Sequence, residues 1–460
     1  MTPVVVELLY ILAIALFALS LKWMSEVKTS RFANWAAMTG MAVAIAGTLI
    51  AYQIQRIDLL IAAVLVGILV GAPIGLKVSM TAVPQRTAIS QACGSLAVAL
   101  VGVAEYFNRV PDLDVFTMSV LGGEIILGFL TFTGSCIAFM KLQGLISGRP
   151  YVYKGRNVVT IAILGLAVAF TIYLVLNPSQ QAVLPIMIFL ALLVGFNLVM
   201  GIGGADMPTV IATLNSFAGL SAAALGFVLN NKILIVAGAL DGSSGLILAI
   251  IMSQAMNRSF TNILFGSVGK TLKGGEAAQT GRTVQQYSAE DVAIVLEGAK
   301  SVIIAPGYGM GVAQAQFIVK ELADTLQKIG VDVKFAIHPV AGRMPGHMNV
   351  LLAEANVSYD QLWEMEKINP LFPQADVAIV VGANDVTNPA ARDKPDSPLY
   401  GMPILDVDKA KTIVFIKRGR GTGFSGVDND LFYLQNTMMV FGDAKQVMTD
   451  LVTELKKRTG

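Results

Sequence analysis

The sequence contains little charge and very little cysteine or histidine. Charged residues make up only 14% of its 460 residues, against about 25% in a soluble globular domain, which excludes a wholly water-soluble globule. The two cysteines, Cys93 and Cys136, lie in apolar segments and offer neither a disulfide framework nor a metal-ligand spacing. We therefore expect no metal site, and the net charge of +2 gives no indication of nucleic-acid binding.

The charge that is present is unevenly distributed. Residues 1–257 contain 12 Lys or Arg, 9 Asp or Glu and no histidine, whereas residues 258–460 contain 21 Lys or Arg and 22 Asp or Glu. This division predicts a membrane domain at 1–257, a linker with little regular structure at 258–287, and a soluble domain at 288–460.

Long apolar segments predict an α-helical polytopic membrane domain, because a bilayer crossing needs about 20 mainly apolar residues. The nine predicted spans are residues 3–21, 34–53, 58–76, 87–107, 115–139, 158–176, 181–200, 209–229 and 233–256. Loops on one side of these spans hold twelve Lys or Arg, and those on the other side hold three. The positive-inside rule then predicts an external N-terminus and a cytoplasmic C-terminal domain.

Ionisable side chains within or at the ends of spans are rare, and each is a functional candidate for that reason. They are Glu7, Glu105, Glu124, Asp206 and Asp241. For Asp206, which follows a pair of glycines, the alternative is a helix N-terminal cap. For Glu124 the alternative is an interfacial carboxylate.

Uncharged polar side chains also occur in the middle of spans, at Gln91, Ser135 and Asn215. Each is compatible with an interhelical hydrogen bond or with a chain of water molecules. Small residues are frequent at 201–204, 221–226 and 238–245, and they predict tight helix packing.

Strand-like and helix-like segments alternate in the C-terminal part. Apolar runs predict strands at 301–305, 331–337, 377–381, 404–405, 412–416 and 438–441. Helices are predicted at 290–299, within 307–330 after a glycine turn, at 345–355 and at 443–457. The alternation predicts an α/β Rossmann-like fold with a doubly wound parallel sheet.

The glycine turn follows the first of these strands. Gly307 and Gly309 occupy the first two positions of a dinucleotide fingerprint, and Val312 stands where the third glycine usually is. Such glycines permit a tight turn and close approach of the backbone to a pyrophosphate, and the next helix contributes its N-terminal N–H groups. The turn indicates a nucleotide site, with a purely structural turn as the alternative.

The sequence favours NADP over NAD. The second strand ends at Ile337 and His338 without the acidic residue that usually holds the ribose 2′-hydroxyl, and Arg343 follows shortly. The strand at 412–416 ends in a basic cluster that contains Lys417 and Arg418. Guanidinium and ammonium groups suit a 2′-phosphate, and a solvated basic loop is the alternative.

Two further segments follow strands on the same predicted edge. Asn384 and Asp385 come after the strand at 377–381, where they are placed to cap the next helix or to contact a cofactor. Residues 419–426 contain four glycines and predict a mobile loop over a nucleotide. Of the two histidines, His338 is the better site candidate because it ends a strand, and His347 is interpreted as positional.

Together these motifs resemble the beta subunits of the proton-translocating NAD(P) transhydrogenases. The matching stretches are residues 203–208, 255–259, 306–316, 338–343, 345–350, 382–385 and 401–403, which span nearly the whole chain. The resemblance implies an enzyme subunit that binds NADP(H), while a separate alpha subunit, whole or split in two, binds NAD(H). It also implies hydride transfer between the two nicotinamides, inward proton movement, a bacterial inner-membrane location and a homodimer of the beta chain within the complex.

The resemblance assigns roles residue by residue. The implied catalytic or proton-linked residues are Asp385, His338, Asp206 and Asn215. The implied cofactor-binding residues are Gly307, Tyr308, Gly309, Met310, Gly311, Val312, Ala313, Gln314, Arg343, Gly382, Ala383, Asn384, Asp385, Lys417, Arg418, Gly421, Gly423 and Phe424. The family binds NADP(H) in an orientation reversed from the usual Rossmann cofactor, so the glycines need not contact the atoms of a standard complex.

Two positions depart from the family pattern. Many members have a membrane histidine where this chain has Gln91, and some carry that histidine on a partner subunit. The resemblance therefore implies a split-subunit form whose alpha chain supplies the membrane histidine. Phe424 replaces a tyrosine of some relatives, which keeps stacking but removes a hydroxyl group.

Two other functions remain compatible with a membrane block followed by a nucleotide-type domain. One is an ion channel or transporter gated by a cytoplasmic nucleotide-binding domain, which would be expected to keep the acidic residue after the second strand. The other is a non-catalytic membrane anchor for a soluble dehydrogenase, which ionisable residues within the spans disfavour.

Overall fold

A computed structural model gives the structure of the chain. It describes residues 2–24, 29–52, 56–77, 80–148, 150–256, 259–265, 284–344, 346–397, 399–419, 421–423 and 425–459. These residues divide into two compact units, a helical one and one built on a sheet.

The described helical unit contains nine helices long and apolar enough to cross a membrane, which confirms the predicted number of spans. They are α1 (Thr2–Met24), α2 (Ser30–Ala51), α3 (Ile57–Lys77), α4 (Val83–Arg109), α5 (Val115–Gln143), α6 (Arg156–Leu176), α7 (Val183–Met200), α8 (Met207–Val228) and α9 (Lys232–Ala255). Most predicted boundaries differ from these by only a few residues.

Helix α5 lies at the centre of this unit. It packs against α4, α6, α7 and α8, and α1 packs separately against α2. A buried cluster around Met118, Leu121 and Ile125 forms the core between α5 and its neighbours. Helix α3, by contrast, buries none of its residues within the chain.

Glycines bring α8 and α9 into backbone contact, as the small residues of 238–245 predicted. A Cβ atom on Gly219 would lie 2.2 Å from the backbone nitrogen of Gly242, and one on Gly245 would lie 2.7 Å from that of Ser216. A Cβ on Gly238 would lie 2.5 Å from the nitrogen of Ala223. Larger side chains at these positions would force the two helices apart.

The second unit is built on six parallel strands. They are β1 (Ser301–Pro306), β2 (Asp332–Ile337), β3 (Leu362–Glu364), β4 (Val377–Val381), β5 (Thr412–Lys417) and β6 (Thr437–Phe441). The division between the two units falls within α10 (Phe260–Phe265). The other described helices of the second unit are α11 (Ala289–Glu297), α12 (Tyr308–Val312), α13 (Gln316–Lys328), α14 (His347–Glu354), α15 (Met365–Ile368), α16 (Ala390–Asp393) and α17 (Ala444–Thr459). The strand order β3-β2-β1-β4-β5-β6 reverses direction between β1 and β4, so the sheet is doubly wound and Rossmann-like, as predicted.

Apolar side chains cover both faces of the sheet. Phe335 and Val414 belong to the cluster that packs with α11, α13 and α17, while Ile303 and Phe415 belong to the cluster on the other face. Burial on both faces explains why the strands are near-continuous apolar runs.

Four local predictions differ from the structure. The predicted strand at 404–405 is irregular, because Leu405 bonds through its N–H to the carbonyl of Val386 and not to a neighbouring strand. The short edge strand β3 was not predicted, since three residues carry no clear pattern. The helix after the glycine turn is interrupted at Gln314, which has a φ of +51°. Helix α10 lies within the predicted linker, most of which is outside the described residues.

Candidate functional site

Two turns interlock at the point where the sheet reverses direction. They follow the neighbouring strands β1 and β4. A Cβ on Gly307 would lie 2.4 Å from the Cα of Ala383, and one on Gly309 would lie 2.8 Å from the Cα of Gly382. Gly382 itself has a φ of +68°, in the left-handed region that favours glycine. The fingerprint glycines therefore let the two turns pack backbone against backbone.

This packing changes the interpretation of the fingerprint. The N–H of Gly307 donates to the carbonyl of Val381 at 2.9 Å, and that of Gly309 donates to the carbonyl of Gly382 at 2.8 Å. The helix that begins at Tyr308 is only five residues long. The expected set of free N–H groups at the start of a long helix is thus not formed here, because the long helix α13 begins only at Gln316.

The other predicted residues of these turns differ in exposure. Met310, Gly311 and Ala383 are buried, Ala313 is partly exposed, Gln314 is exposed, and Val312 is 47% exposed. The side-chain amide of Gln314 donates to the carbonyl of Gly311 at 3.1 Å. An exposed valine at the third fingerprint position shows that no close helix–strand contact demands glycine there.

A hydrogen-bonded network joins the turn after β4 to the loop after β5. Asp385 accepts hydrogen bonds from the N–H and the hydroxyl of Ser425, both at 2.9 Å. The amide of Asn384 donates to Asp385 at 3.0 Å, and the Lys417 amine donates to Asn384 at 3.2 Å and to the carbonyl of Gly421. The structure therefore brings these predicted residues together.

Close packing makes the loop contact specific. A Cβ on Gly423 would lie 2.3 Å from a carboxylate oxygen of Asp385, so only glycine fits there. Buried Asn429 donates from its amide to the carbonyl of Asn384 at 3.0 Å. Ser425 lies within the glycine-rich loop and Asn429 follows it, but nothing else in the sequence singles out either residue. Phe424 and Arg420 lie outside the described residues.

Cationic side chains gather at this edge of the sheet. Burial lowers the pKa of Lys417, an effect opposed by the carboxylates of Asp385 and Asp428. Arg418 is exposed and lies 3.8 Å from a carboxylate oxygen of Asp443. Arg343 stacks over the ring of Tyr308 at 4.4 Å. Cations and a stacking platform beside a doubly wound sheet fit a phosphorylated nucleotide.

The two histidines are both buried and neutral. His338 is held by Val340, whose N–H donates to Nδ1 at 3.2 Å, so Nε2 carries the proton and donates to the carbonyl of Pro403 at 2.8 Å. Burial lowers the pKa of His338 to about 4, against the opposing effect of that bond. Burial, with the charge of Arg343, likewise lowers the pKa of His347 to about 4.

This placement does not favour proton exchange at His338. Both ring nitrogens already have partners, and the pKa lies well below neutrality. No hydrogen bond between described atoms joins His338 to Asp385. Its position indicates that the imidazole fastens the Pro403 segment to the end of β2.

A second set of polar side chains lies between α4 and α5 in the helical unit. A Cβ on Gly102 would lie 1.8 Å from the Glu124 carboxylate, and one on Gly128 would lie 2.7 Å from the Cβ of Ala99. The two helices are antiparallel, so the same register extends along them. It places further polar residues of α4 opposite polar residues of α5. Ser95 is thus placed opposite Thr131, and Gln91 opposite Ser135.

These residues form a polar column. Within the described chain, buried atoms of Gln91, Ser95, Glu124, Thr131 and Ser135 have no hydrogen-bond partner. The hydroxyl of Ser221 on α8 donates to the backbone carbonyl of Glu124 at 3.0 Å, which adds α8 to the column. Buried polar atoms in proteins are normally satisfied by protein groups or by water, so the column suits a chain of water molecules.

Asn215 lies on another face of α8. Its amide donates to Asp241 of α9 at 3.0 Å. Six residues separate Asn215 from Ser221, which is about 240° around a helix. The mid-span polar residues thus belong to two sets, and the sequence alone did not separate them.

Asp206 is buried at the start of α8 but makes no capping hydrogen bond to that helix in the described chain, so the simple cap does not account for it. The C-terminal end of the preceding helix, α7, is hydrogen-bonded to a side chain of α5. The Lys141 amine donates to the carbonyls of Val199, Met200 and Ile202 at 3.1, 2.9 and 2.7 Å. A buried lysine thus caps the end of α7, just ahead of the turn that carries Asp206.

In the described residues, nine apolar helices are followed by a doubly wound parallel sheet with a cationic edge, which defines a multi-pass membrane protein with a nucleotide-type domain. The family model of the NAD(P) transhydrogenase beta subunit matches residues 6–454, and the chain belongs to that family. It is 47% identical over 454 residues to the NAD(P) transhydrogenase subunit beta of Rhodospirillum rubrum, covering 96% of this chain and 97% of the relative. A second sequence of that name, from a specified strain of R. rubrum, gives the same values.

Membership confirms the resemblance found in the sequence. Membership gives the chain a role in NAD(P) transhydrogenation, a reaction that involves nicotinamide dinucleotides. Since the family is that of the beta subunit, it also implies an alpha subunit as partner.

Proposed function

We propose that this chain is the NADP(H)-binding and membrane subunit of a proton-pumping transhydrogenase. Hydride would pass from NADH, held by the alpha subunit, to NADP⁺ held here, coupled to inward movement of a proton. The observation that carries the proposal is the network of Lys417, Asn384, Asp385 and Ser425 at the reversal point of the sheet. Ligands of doubly wound sheets bind at that point.

In this proposal Lys417 and Arg418 hold the 2′-phosphate, and Arg343 with Tyr308 contacts the remainder of the nucleotide. The loop that contains Gly421 and Gly423 lies over the nucleotide, tied down through Ser425 to Asp385. Bound NADP(H) supplies the nicotinamide that accepts or donates hydride. The chain's own residues bind it, orient it and exclude water.

Asp385 is the proposed link between cofactor affinity and protonation. As a carboxylate it accepts two hydrogen bonds from Ser425, whereas a protonated carboxyl group would lose acceptor capacity and loosen the loop. A loop with two discrete states is the element that coupling requires, since a proton can shift an equilibrium only through differential binding.

The polar column between α4 and α5 supports a proton-conducting role for the helical unit. We propose functional domains at 1–257 and 288–460 joined by 258–287, with the N-terminus outside a bacterial inner membrane and the soluble domain in the cytoplasm. The twelve-to-three bias of Lys and Arg between alternate loops supports this orientation. A homodimer of the chain within the complex belongs to the same proposal.

Reconstitution tests the proposal directly. The chain and its alpha partner are placed in sealed vesicles with the soluble domains facing outward, and NADH-driven reduction of NADP⁺ is followed together with the internal pH. We expect hydride transfer to make the interior more alkaline, because the proposed proton movement is toward the side of the membrane that carries the soluble domains, which in these vesicles is the outside. Hydride transfer without any change of the internal pH would remove the pumping role, and the complete absence of hydride transfer would remove the enzymatic one.

Two lysines at opposite ends of β5, Lys417 and Lys411, provide the matched control. Lys417→Ala should weaken NADP(H) binding strongly, because it removes a cation at the carboxyl end of the strand. Lys411→Ala removes a lysine that precedes the strand and pairs with Asp376 at 2.8 Å, and it should leave binding unchanged. Equal effects of the two changes would contradict the assignment of the site. Asp385→Asn should alter both NADP(H) affinity and its pH dependence.

A further inference from the structure

The helix that follows Arg343 begins without a side-chain cap. Helix α14 runs over His347–Glu354, and its N-cap residue, Gly346, has a φ of +66° and no side chain to offer. Within the described chain, the backbone N–H groups of Met348 and Asn349 have no acceptor. Uncapped N–H groups at a helix N-terminus, together with the positive end of the helix dipole, suit an anion.

A buried and unpaired donor lies at the same place. His347, the first residue of α14, is 1% exposed. Its Nδ1 accepts a hydrogen bond from the backbone N–H of Arg343 at 3.0 Å, so Nε2 carries the proton. This Nε2–H group has no acceptor in the part of the chain that the structure describes. Because buried donors are normally paired and cost free energy when they are not, the group itself points to a ligand.

The loop before α14 holds the imidazole in this orientation. A Cβ on Gly342 would lie 2.6 Å from Nδ1, so the backbone of the loop packs directly on the ring. The ring of Tyr308 lies 6.2 Å from that of His347, and the Arg343 guanidinium stacks over the same Tyr308 ring at 4.4 Å. A cation, a neutral N–H donor and a helix N-terminus therefore lie together, and each of them favours a negatively charged ligand.

The fingerprint turn, which usually holds a pyrophosphate, has fewer donors to offer. The N–H groups of Gly307, Gly309 and Met310 all bond to carbonyls of the chain itself. Helix α14 follows β2, the strand next to β1 in the sheet, and it packs against α12 of the fingerprint turn. The donors that the turn does not provide are thus available beside it, at the start of α14.

We propose that His347 and the N-terminus of α14 bind the pyrophosphate of the dinucleotide, with the Nε2–H group donating to a phosphoryl oxygen. The inference rests on the proposed function and deepens it, because it assigns the pyrophosphate to the helix beside the fingerprint turn. Arg343 adds its positive charge. Oδ1 of Asn349 is buried without a partner among the described residues, and a half-turn of that amide presents its NH₂ group there instead.

Two substitutions separate the donor role of the imidazole from its structural role. His347→Gln keeps an N–H donor at the position of Nε2, whereas His347→Asn keeps an acceptor for the Arg343 N–H and removes that donor. Equilibrium binding of NADP⁺ is measured in the complete complex with the alpha subunit. We expect His347→Asn to weaken binding about tenfold, the effect of one hydrogen bond to a charged group, and His347→Gln to retain most of the affinity. The reverse order, or an equal effect of the two changes, would overturn the proposal.

Ligand fragments locate the contact on the nucleotide. 2′-Phospho-ADP-ribose contains the pyrophosphate but lacks the nicotinamide, and adenosine 2′-monophosphate lacks both. His347→Asn should weaken binding of NADP⁺ and 2′-phospho-ADP-ribose alike and leave that of adenosine 2′-monophosphate unchanged. A loss confined to NADP⁺ would place the imidazole at the nicotinamide, and a loss for all three ligands would leave it a structural role only. Either result contradicts the assignment.

A negative charge at the third residue of α14 provides a further test. Asn349→Asp places a carboxylate in the first helical turn, which stabilises an ordinary helix but repels a bound pyrophosphate. We expect the affinity for NADP⁺ to fall by more than about tenfold, while thermal stability without nucleotide stays equal or rises. Unchanged affinity for NADP⁺ would refute an anion site at this helix.

Lys417→Ala reports on the proposed function separately. Lys417 is assigned to the 2′-phosphate, so this change should weaken binding of all three ligands, adenosine 2′-monophosphate included. If it does so while His347→Asn and Asn349→Asp change nothing, the nucleotide site stands and the pyrophosphate assignment fails. If none of the three changes has an effect, the proposed nucleotide site fails as well.

Discussion

The neutral, buried state of His338 predicts that acid weakens the sheet unit. An ordinary histidine in an unfolded chain has a pKa of about 6.5, whereas burial lowers that of folded His338 to about 4. The unfolded state therefore binds more protons than the folded state between these two values. Stability from the neutral imidazole is complete above the unfolded pKa and is lost as the pH falls toward the folded pKa.

The size of the effect follows from the same two values. At about pH 5.5 the unfolded histidine is mostly protonated and the folded one is not, which costs about 1.4 kcal/mol relative to neutral pH. His347, whose pKa is also lowered to about 4, contributes a similar loss. His338→Gln should remove roughly half of the histidine-linked pH dependence of the free energy of unfolding. The substitution also removes the hydrogen bond from His338 to the carbonyl of Pro403.

Trp363 offers a local probe of this unfolding. It lies on β3 opposite Ala336 of β2, two residues before His338. The full-length chain in detergent, with Trp23 and Trp35 replaced by Phe, is unfolded in denaturant at several pH values while Trp363 fluorescence is followed. Equal pH dependence in the parent chain and in His338→Gln would refute a neutral buried imidazole, because carboxylates titrate alike in both.

Three other substitutions test individual contacts of the structure. Gly102→Ala should block folding or displace the Glu124 carboxylate, since the new Cβ would lie 1.8 Å from it; yield and monodispersity in detergent measure this. Lys141→Met should cost about 3 kcal/mol or more, because three buried carbonyls lose their donor; thermal stability in detergent measures it. Ser425→Ala should speed NADP(H) release several-fold in stopped-flow, because Asp385 loses the hydroxyl that anchors the loop.

Each of these changes has a matched control. Gly94→Ala on the same helix as Gly102 meets nothing within 4 Å and should be tolerated. Lys141→Arg keeps a cationic donor and should restore part of the stability. Ser425→Thr keeps the hydroxyl group and should release NADP(H) at a near-normal rate. If a control behaves like its test variant, the corresponding contact does not have the role described.

The overall architecture could be predicted because it depends on patterns that local sequence carries. Nine apolar segments of sufficient length gave nine helices, and apolar runs bounded by turns gave five of the six strands. The helix predicted at 290–299 forms over Ala289–Glu297, where Ser288 caps it in a capping box with Asp291. The prediction of a strand at 404–405 was wrong, because an apolar, buried pair of residues can lie in a strand or in an irregular segment.

The candidate nucleotide site was predictable only as a set of loops at one edge. Parallel strands place their carboxyl ends together, which is why Lys417 and Asn384 could be expected near each other. The contribution of Ser425 could not be predicted, since it depends on how the loop folds back onto Asp385. The close approach of Gly307 and Gly309 to the turn after β4 could not be predicted for the same reason, because it depends on how the two turns pack against each other.

In the helical unit the missing information is the register between helices. Gln91, Glu124 and Ser135 are far apart in sequence, and only the close contact at Gly102 aligns α4 with α5 so that they form one column. Asn215 would join that column by composition, yet its position around α8 turns it toward Asp241. The column and the contact between Asn215 and Asp241 thus use different faces of α8.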